Sequence, residues 1–126
     1  DLLEANSFQP VGEFEGPYNL LMGMEENRLV LNIRNSDYEP LTRVLVPLMP
    51  FRRIIKDYFT ICESYFQAIK SAQPSKIEAI DMGRRGLHND GSDLLRERLG
   101  GKIIVDNETA RRLFTLICIL QIRSQI

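Results

Sequence analysis

The sequence predicts a single α+β domain, a three- to four-stranded antiparallel meander packed against three to four helices. Two observations carry this reading. Apolar residues alternate with a period of two between residues 18 and 46, and from residue 50 onward the period becomes 3.6. The switch falls between Pro47 and Pro50, where proline ends a strand and suits the first turn of a helix. A chain of 126 residues suits one domain. Its expected parts are an N-terminal helix remnant and loop over residues 1–17, antiparallel strands over 18–48, and a mainly helical region over 50–126.

Each element has its own justification. Residues 7–17 carry two glycines and two prolines and read as a loop. Tyr18, Leu20, Met22 and Met24 share one face of the first strand, and Leu29, Leu31 and Ile33 share one face of the second. Between them Asn27 can take the φ > 0 position of a tight turn. Leu41, Val44 and Val46 mark the third strand.

The helical pattern is strongest over residues 50–72. There Phe51, Ile54, Ile55, Tyr58, Cys62, Tyr65, Phe66 and Ile69 form one aromatic-rich stripe, expected to be core. Ser75 and Glu78 have capping-box spacing and predict a second helix start. Gly83 and Gly86 should weaken that helix, and residues 88–91 (HNDG) read as a break. Ser92 would then cap a short helix ending at Gly100 and Gly101. Residues 102–105 read as extended, a candidate fourth strand. Asp106 or Asn107 caps a last helix carrying Leu113, Phe114, Leu116, Ile117, Ile119 and Leu120. Apolar on most of its circumference, that helix must be central and buried, or be covered by a missing N-terminal helix or by a second copy in a homodimer.

Composition excludes several classes. Hydrophobic residues make up 44% and charged residues 26%, which argues against disordered or fibrous chains. A net charge of −1 argues against nucleic acid as a partner of the whole chain. No apolar run approaches the roughly 20 residues of a membrane helix. Two distant cysteines, Cys62 and Cys118, and a single histidine, His88, make neither a disulfide scaffold nor a zinc site, and they fit a reducing compartment. No catalytic constellation and no cofactor motif is legible. The opening DLLE has no methionine, so a native N-terminal segment is expected to be missing.

Four stretches together resemble a known family: residues 50–59 (PFRRIIKDYF), 78–89 (EAIDMGRRGLHN), 94–99 (LLRERL) and 110–118 (ARRLFTLIC). They are similar to a family of small uncharacterised bacterial proteins of the UPF type, mainly alphaproteobacterial. The resemblance runs from about Gly16 onward, and residues 82–89 are its most specific part. It implies a bacterial cytoplasmic protein and carries over no catalytic residue, metal or cofactor.

Arginine placement is the one local irregularity. Residues 1–40 hold eight acids and two bases, while residues 41–126 hold nine acids and fourteen bases, so −6 faces +5. Arg52 and Arg53 open a helix, and Arg111 and Arg112 lie near the start of another, where the macrodipole favours anions. Arg84, Arg85, His88 and Asn89 lie in the glycine-bearing segment 82–93, whose composition promises little apolar burial. Two accounts remain open. In one, the bases are solvated or compensated by the acidic half. Alternatively Arg52, Arg53, Arg84, Arg85, His88, Asn89, Arg111 and Arg112 bind a small anion or an acidic protein partner through forked guanidinium contacts. The corresponding functions are a non-enzymatic interaction or regulatory module and, alternatively, a binding protein or enzyme for a phosphate- or carboxylate-bearing ligand. Arginines converging on a concavity would favour the second; arginines spread over a flat face would favour the first.

Overall fold

The computed structural model describes residues 7–124. The expected helix remnant at residues 1–6 lies outside them. The elements run β1 (Phe8–Pro10), β2 (Asn19–Glu25), β3 (Arg28–Arg34), β4 (Pro40–Pro47), α1 (Arg52–Ser71), α2 (Pro74–Leu99), β5 (Ile103–Val105) and α3 (Asn107–Ser124), with one 3-10 turn at Met49–Phe51 ahead of α1. This is a single-domain α+β fold whose meander has the order β2-β3-β4.

Alternation in the sequence becomes facing in the sheet. Leu29, Leu31 and Ile33 of the central strand are buried. They register against Met24, Met22 and Leu20 on one side and against Val46, Val44 and Thr42 on the other. Glu26 and Asn27 both have positive φ, 50° and 65°, which is the twist a two-residue hairpin needs. The broken phase between Leu41 and Val44 also has a cause: Ile33 pairs Thr42 but Arg34 pairs Pro40, so Leu41 is the extra residue of a bulge.

Several expectations are corrected. Residues 8–10 are not loop but strand β1, paired antiparallel with β5 in a separate two-stranded sheet, so β5 does not extend the meander. Helix α2 begins at Pro74 with Gln73 as N-cap and no side-chain cap, rather than at a Ser75 capping box. It runs 26 residues without a break at residues 88–91. The reason is packing. A Cβ on Gly91 would lie 2.2 Å from Cζ of Phe114, so Gly91 is the place where α2 and α3 approach too closely for any side chain. Segment 82–93 therefore contributes to the interior: His88, Gly91 and Ser92 are buried, and the Ser92 hydroxyl donates to the His88 carbonyl at 2.8 Å.

The α1 stripe is core only in part. Phe51 and Ile55 are buried, but Phe66 and Ile69 are 62% and 50% exposed. Cys62 is half-buried and Cys118 buried; both are free thiols, and burial pushes Cys118 up to about 12. On α3, Leu113, Phe114, Ile117 and Cys118 are buried while Leu116, Ile119 and Ile122 are exposed, so this helix has an apolar outer face rather than a fully covered circumference. Asp106 is its cap: Oδ1 accepts from the Thr109 amide at 3.1 Å, and the Thr109 side chain together with the amides of Ser7 and Thr109 holds the carboxyl below its ordinary range. Among the described residues no helix is long and apolar enough to cross a membrane.

Candidate anion-binding groove

Continuity of α2 is what assembles the candidate site. Asp81, Arg84, Arg85 and His88 are spaced by three or four residues, so an unbroken helix stacks them along one face. On α3 the same spacing aligns Glu108, Arg112 and Leu116, and Arg111 with Thr115. These two faces, with Tyr58 of α1, enclose a groove of about 870 Å³. Arg84, Arg85, His88, Arg111 and Arg112 line it. Asn89 does not, but its Oδ1 accepts from Nη1 of Arg111.

Arg52 and Arg53 are elsewhere. Arg52 borders a smaller depression with Lys56, Phe59 and Gln121. The Arg53 side chain is 94% exposed, with Nε 3.9 Å from Asp57 Oδ2. A further concavity of about 550 Å³ between α1 and α2 is lined mainly by small and uncharged residues such as Ser64, Ala68 and Ala72.

The groove's cations are held, not loose. Arg84 donates Nε and Nη2 to Asp81 Oδ1 at 3.0 and 2.6 Å, and Arg85 donates Nε to Oδ2 at 2.9 Å. These two guanidinium groups hold the Asp81 carboxyl below its ordinary range. Arg84 also lies over the Tyr65 ring, 5.4 Å from its centroid. So Arg84 and Arg85 have an internal counter-ion that sequence reading did not assign.

His88 forms the floor. It is 8% exposed, and its ring meets Phe114 and Tyr58 edge-on, with centroids 5.2 and 5.5 Å apart. Its Nε2 lies 2.8 Å from Thr115 Oγ1, and the Thr115 hydroxyl donates its one proton to the Arg111 carbonyl at 3.1 Å. Nε2 must then carry the proton, leaving Nδ1 a buried acceptor with no hydrogen-bond partner. Burial first, and then Arg111 and Arg84, push His88 below its ordinary pKa of 6.5. The site therefore presents four guanidinium groups around a neutral imidazole. Among the described residues no group of three or more His, Cys, Asp or Glu is placed to hold a metal ion.

Sequence reading missed Tyr58, Asp81, Glu108, Thr109, Thr115 and Leu116. For all but Tyr58, which lies on α1, i, i+3 or i, i+4 spacing from the arginines was the available signal.

Meander, helices and groove define the class, a small α+β domain with a cationic inter-helix cleft. The chain belongs to the uncharacterised protein family UPF0262, whose model matches residues 1–123, further toward the N-terminus than the resemblance from Gly16 implied. A UPF0262 protein of Paramagnetospirillum magneticum is 65% identical over 123 residues, covering 98% of this chain and 78% of the relative. One from Rhodospirillum rubrum is 59% identical over 123 residues, covering 98% and 76%. One from Agrobacterium fabrum is 58% identical over 120 residues, covering 95% and 76%. No solved structure matches the chain.

Proposed function

We propose that this protein binds a small phosphate- or carboxylate-bearing ligand in the groove between α1, α2 and α3. The observation that carries the reading is convergence: four arginines from two helices line one concavity of about 870 Å³. Guanidinium forks match the paired oxygens of carboxylate and phosphate, and a groove of this size accommodates a metabolite. Two free cysteines support a reducing, cytoplasmic setting. The test is calorimetric titration of inorganic phosphate and of acetate into the wild type and an Arg111→Ala/Arg112→Ala double variant. Saturable binding of either anion that weakens by about tenfold or more in the double variant, with an unchanged melting temperature, supports the reading. Absence of binding, or equal binding by both proteins, refutes it.

A second reading, a protein-interaction module that self-associates as a homodimer, is favoured by Phe66 and Ile69, which expose an apolar strip on α1. Sedimentation of the wild type and of Phe66→Ser/Ile69→Ser separates the two. A concentration-dependent dimer lost in the variant supports this reading, and a monomer at all concentrations removes it.

A further inference from the structure

We infer that the groove's ligand is amphiphilic, an anion carrying an alkyl or aryl group of modest length; this rests on the anion-binding reading above. The inference comes from how charge and apolar surface succeed one another along α3. Arg112 and Leu116 both line the groove, and they lie four residues apart on one helix face. Ile119 follows three residues further along that face. Leu116 is 45% exposed and Ile119 44% exposed. With about 1.5 Å of rise per residue, Leu116 and Ile119 stand about 6 and about 10 Å along the axis from Arg112.

Tyr58 of α1 and Arg84 of α2 line the same groove. Thus guanidinium groups and apolar or aromatic side chains lie in one molecule-sized space. A free phosphate or acetate would engage the arginines and leave this apolar surface wet. An anion with a hydrocarbon group would cover both, by ion pairing at one end and removal of apolar surface from water at the other.

The experiment holds the anion fixed and varies the apolar group. Acetate and octanoate (kept below its aggregation threshold), and inorganic phosphate and phenyl phosphate, are titrated into the wild type, Leu116→Gln and Arg111→Ala/Arg112→Ala. Octanoate should bind about tenfold or more tightly than acetate, and phenyl phosphate more tightly than phosphate. Leu116→Gln should remove most of that advantage, read within each protein as the ratio of octanoate to acetate affinity and of phenyl phosphate to phosphate affinity. Because Leu116 is exposed, its variant should fold, which the melting temperature checks. If the small anions bind as tightly as their apolar counterparts, or Leu116→Gln has no effect, the amphiphile inference fails and the anion site stands. If octanoate binding ignores the arginine substitutions, or none of the four probes binds, both readings fail.

Discussion

Gly86 and Gly91 lie five residues apart on α2 and belong to different worlds. A Cβ on Gly86 would meet nothing within 4 Å; one on Gly91 would lie inside the Phe114 ring's envelope, 2.2–2.6 Å from three of its carbons. The first half of the helix packs instead on α1, where a Cβ on Gly83 would lie 2.8 Å from Ile61 Cδ1, and its Arg84 and Arg85 are positioned by Asp81. The second half is fixed by contact with α3, through Gly91, Ser92, Leu95 and Leu99, all buried. A groove forms where the two regimes meet, at Arg84, Arg85 and His88. The lesson is that a rigid helix–helix contact supplies the platform, and the arginines project from the half that lies beyond the close α2–α3 approach.

The largest test of that contrast is Phe114→Ala, which removes the ring that Gly91 accommodates. It should cost about 3–5 kcal/mol of stability, read as a fall in the denaturant midpoint. Gly91→Ala comes next. Alanine ordinarily stabilises a helix interior, but here overpacking against Phe114 should cost about 1–3 kcal/mol. Gly86→Ala should do the opposite, raising stability by about 0.5–1 kcal/mol, because nothing obstructs the new methyl group. Equal effects at the two glycines would break the comparison. Phe66→Ala, on the exposed end of the α1 stripe, should stay within about 0.5 kcal/mol of wild type.

His88 gives a pH-dependent refinement that vanishes at neutrality. Burial, then Arg111 and Arg84, depress its folded-state pKa below 6.5. As the pH falls below about 6.5 the unfolded chain takes up a proton that the folded chain does not, so stability is lost until the folded pKa is passed. Asp81 nearby, held below its ordinary range by Arg84 and Arg85, remains ionised in that window. Melting temperatures between about pH 7.5 and 5.5 should fall for the wild type and stay flatter for His88→Gln. Identical slopes would place His88 in a solvated environment.

The sequence made the sheet legible because its signals were local. Alternation at Leu29, Leu31 and Ile33 and the Asn27 turn need only neighbouring strands to be read. The helices were legible in existence but not in extent. Gly83, Gly86 and Gly91 look like helix breakers until a partner helix is known, and nothing near Gly91 in sequence points to Phe114. Phe66 and Ile69 continue a perfect apolar stripe, yet they are left exposed. The candidate site was half legible for the same reason. Its arginines stand out by composition, but their convergence requires α3 to lie against α2. Arg52 and Arg53, equally conspicuous, were left out by that geometry. Strand β1, three residues long, was hidden because its partner lies at the far end of the chain.

That partnership has a kinetic consequence. The Ser7 amide donates to Asp106 Oδ1 across 99 positions of sequence, beside the β1–β5 pairing. Closing so long a loop is entropically expensive, whereas the β2–β3 hairpin and the α1–α2 pair close within a few residues. A two-stranded ribbon is also marginal by itself. It should therefore form only after the meander and helices are in place, and be the first part to open. Amides bonded within the ribbon, such as those of Val11 and Asp106, should exchange with solvent deuterium through local fraying, while Leu29, Leu31 and Ile33 wait for global unfolding.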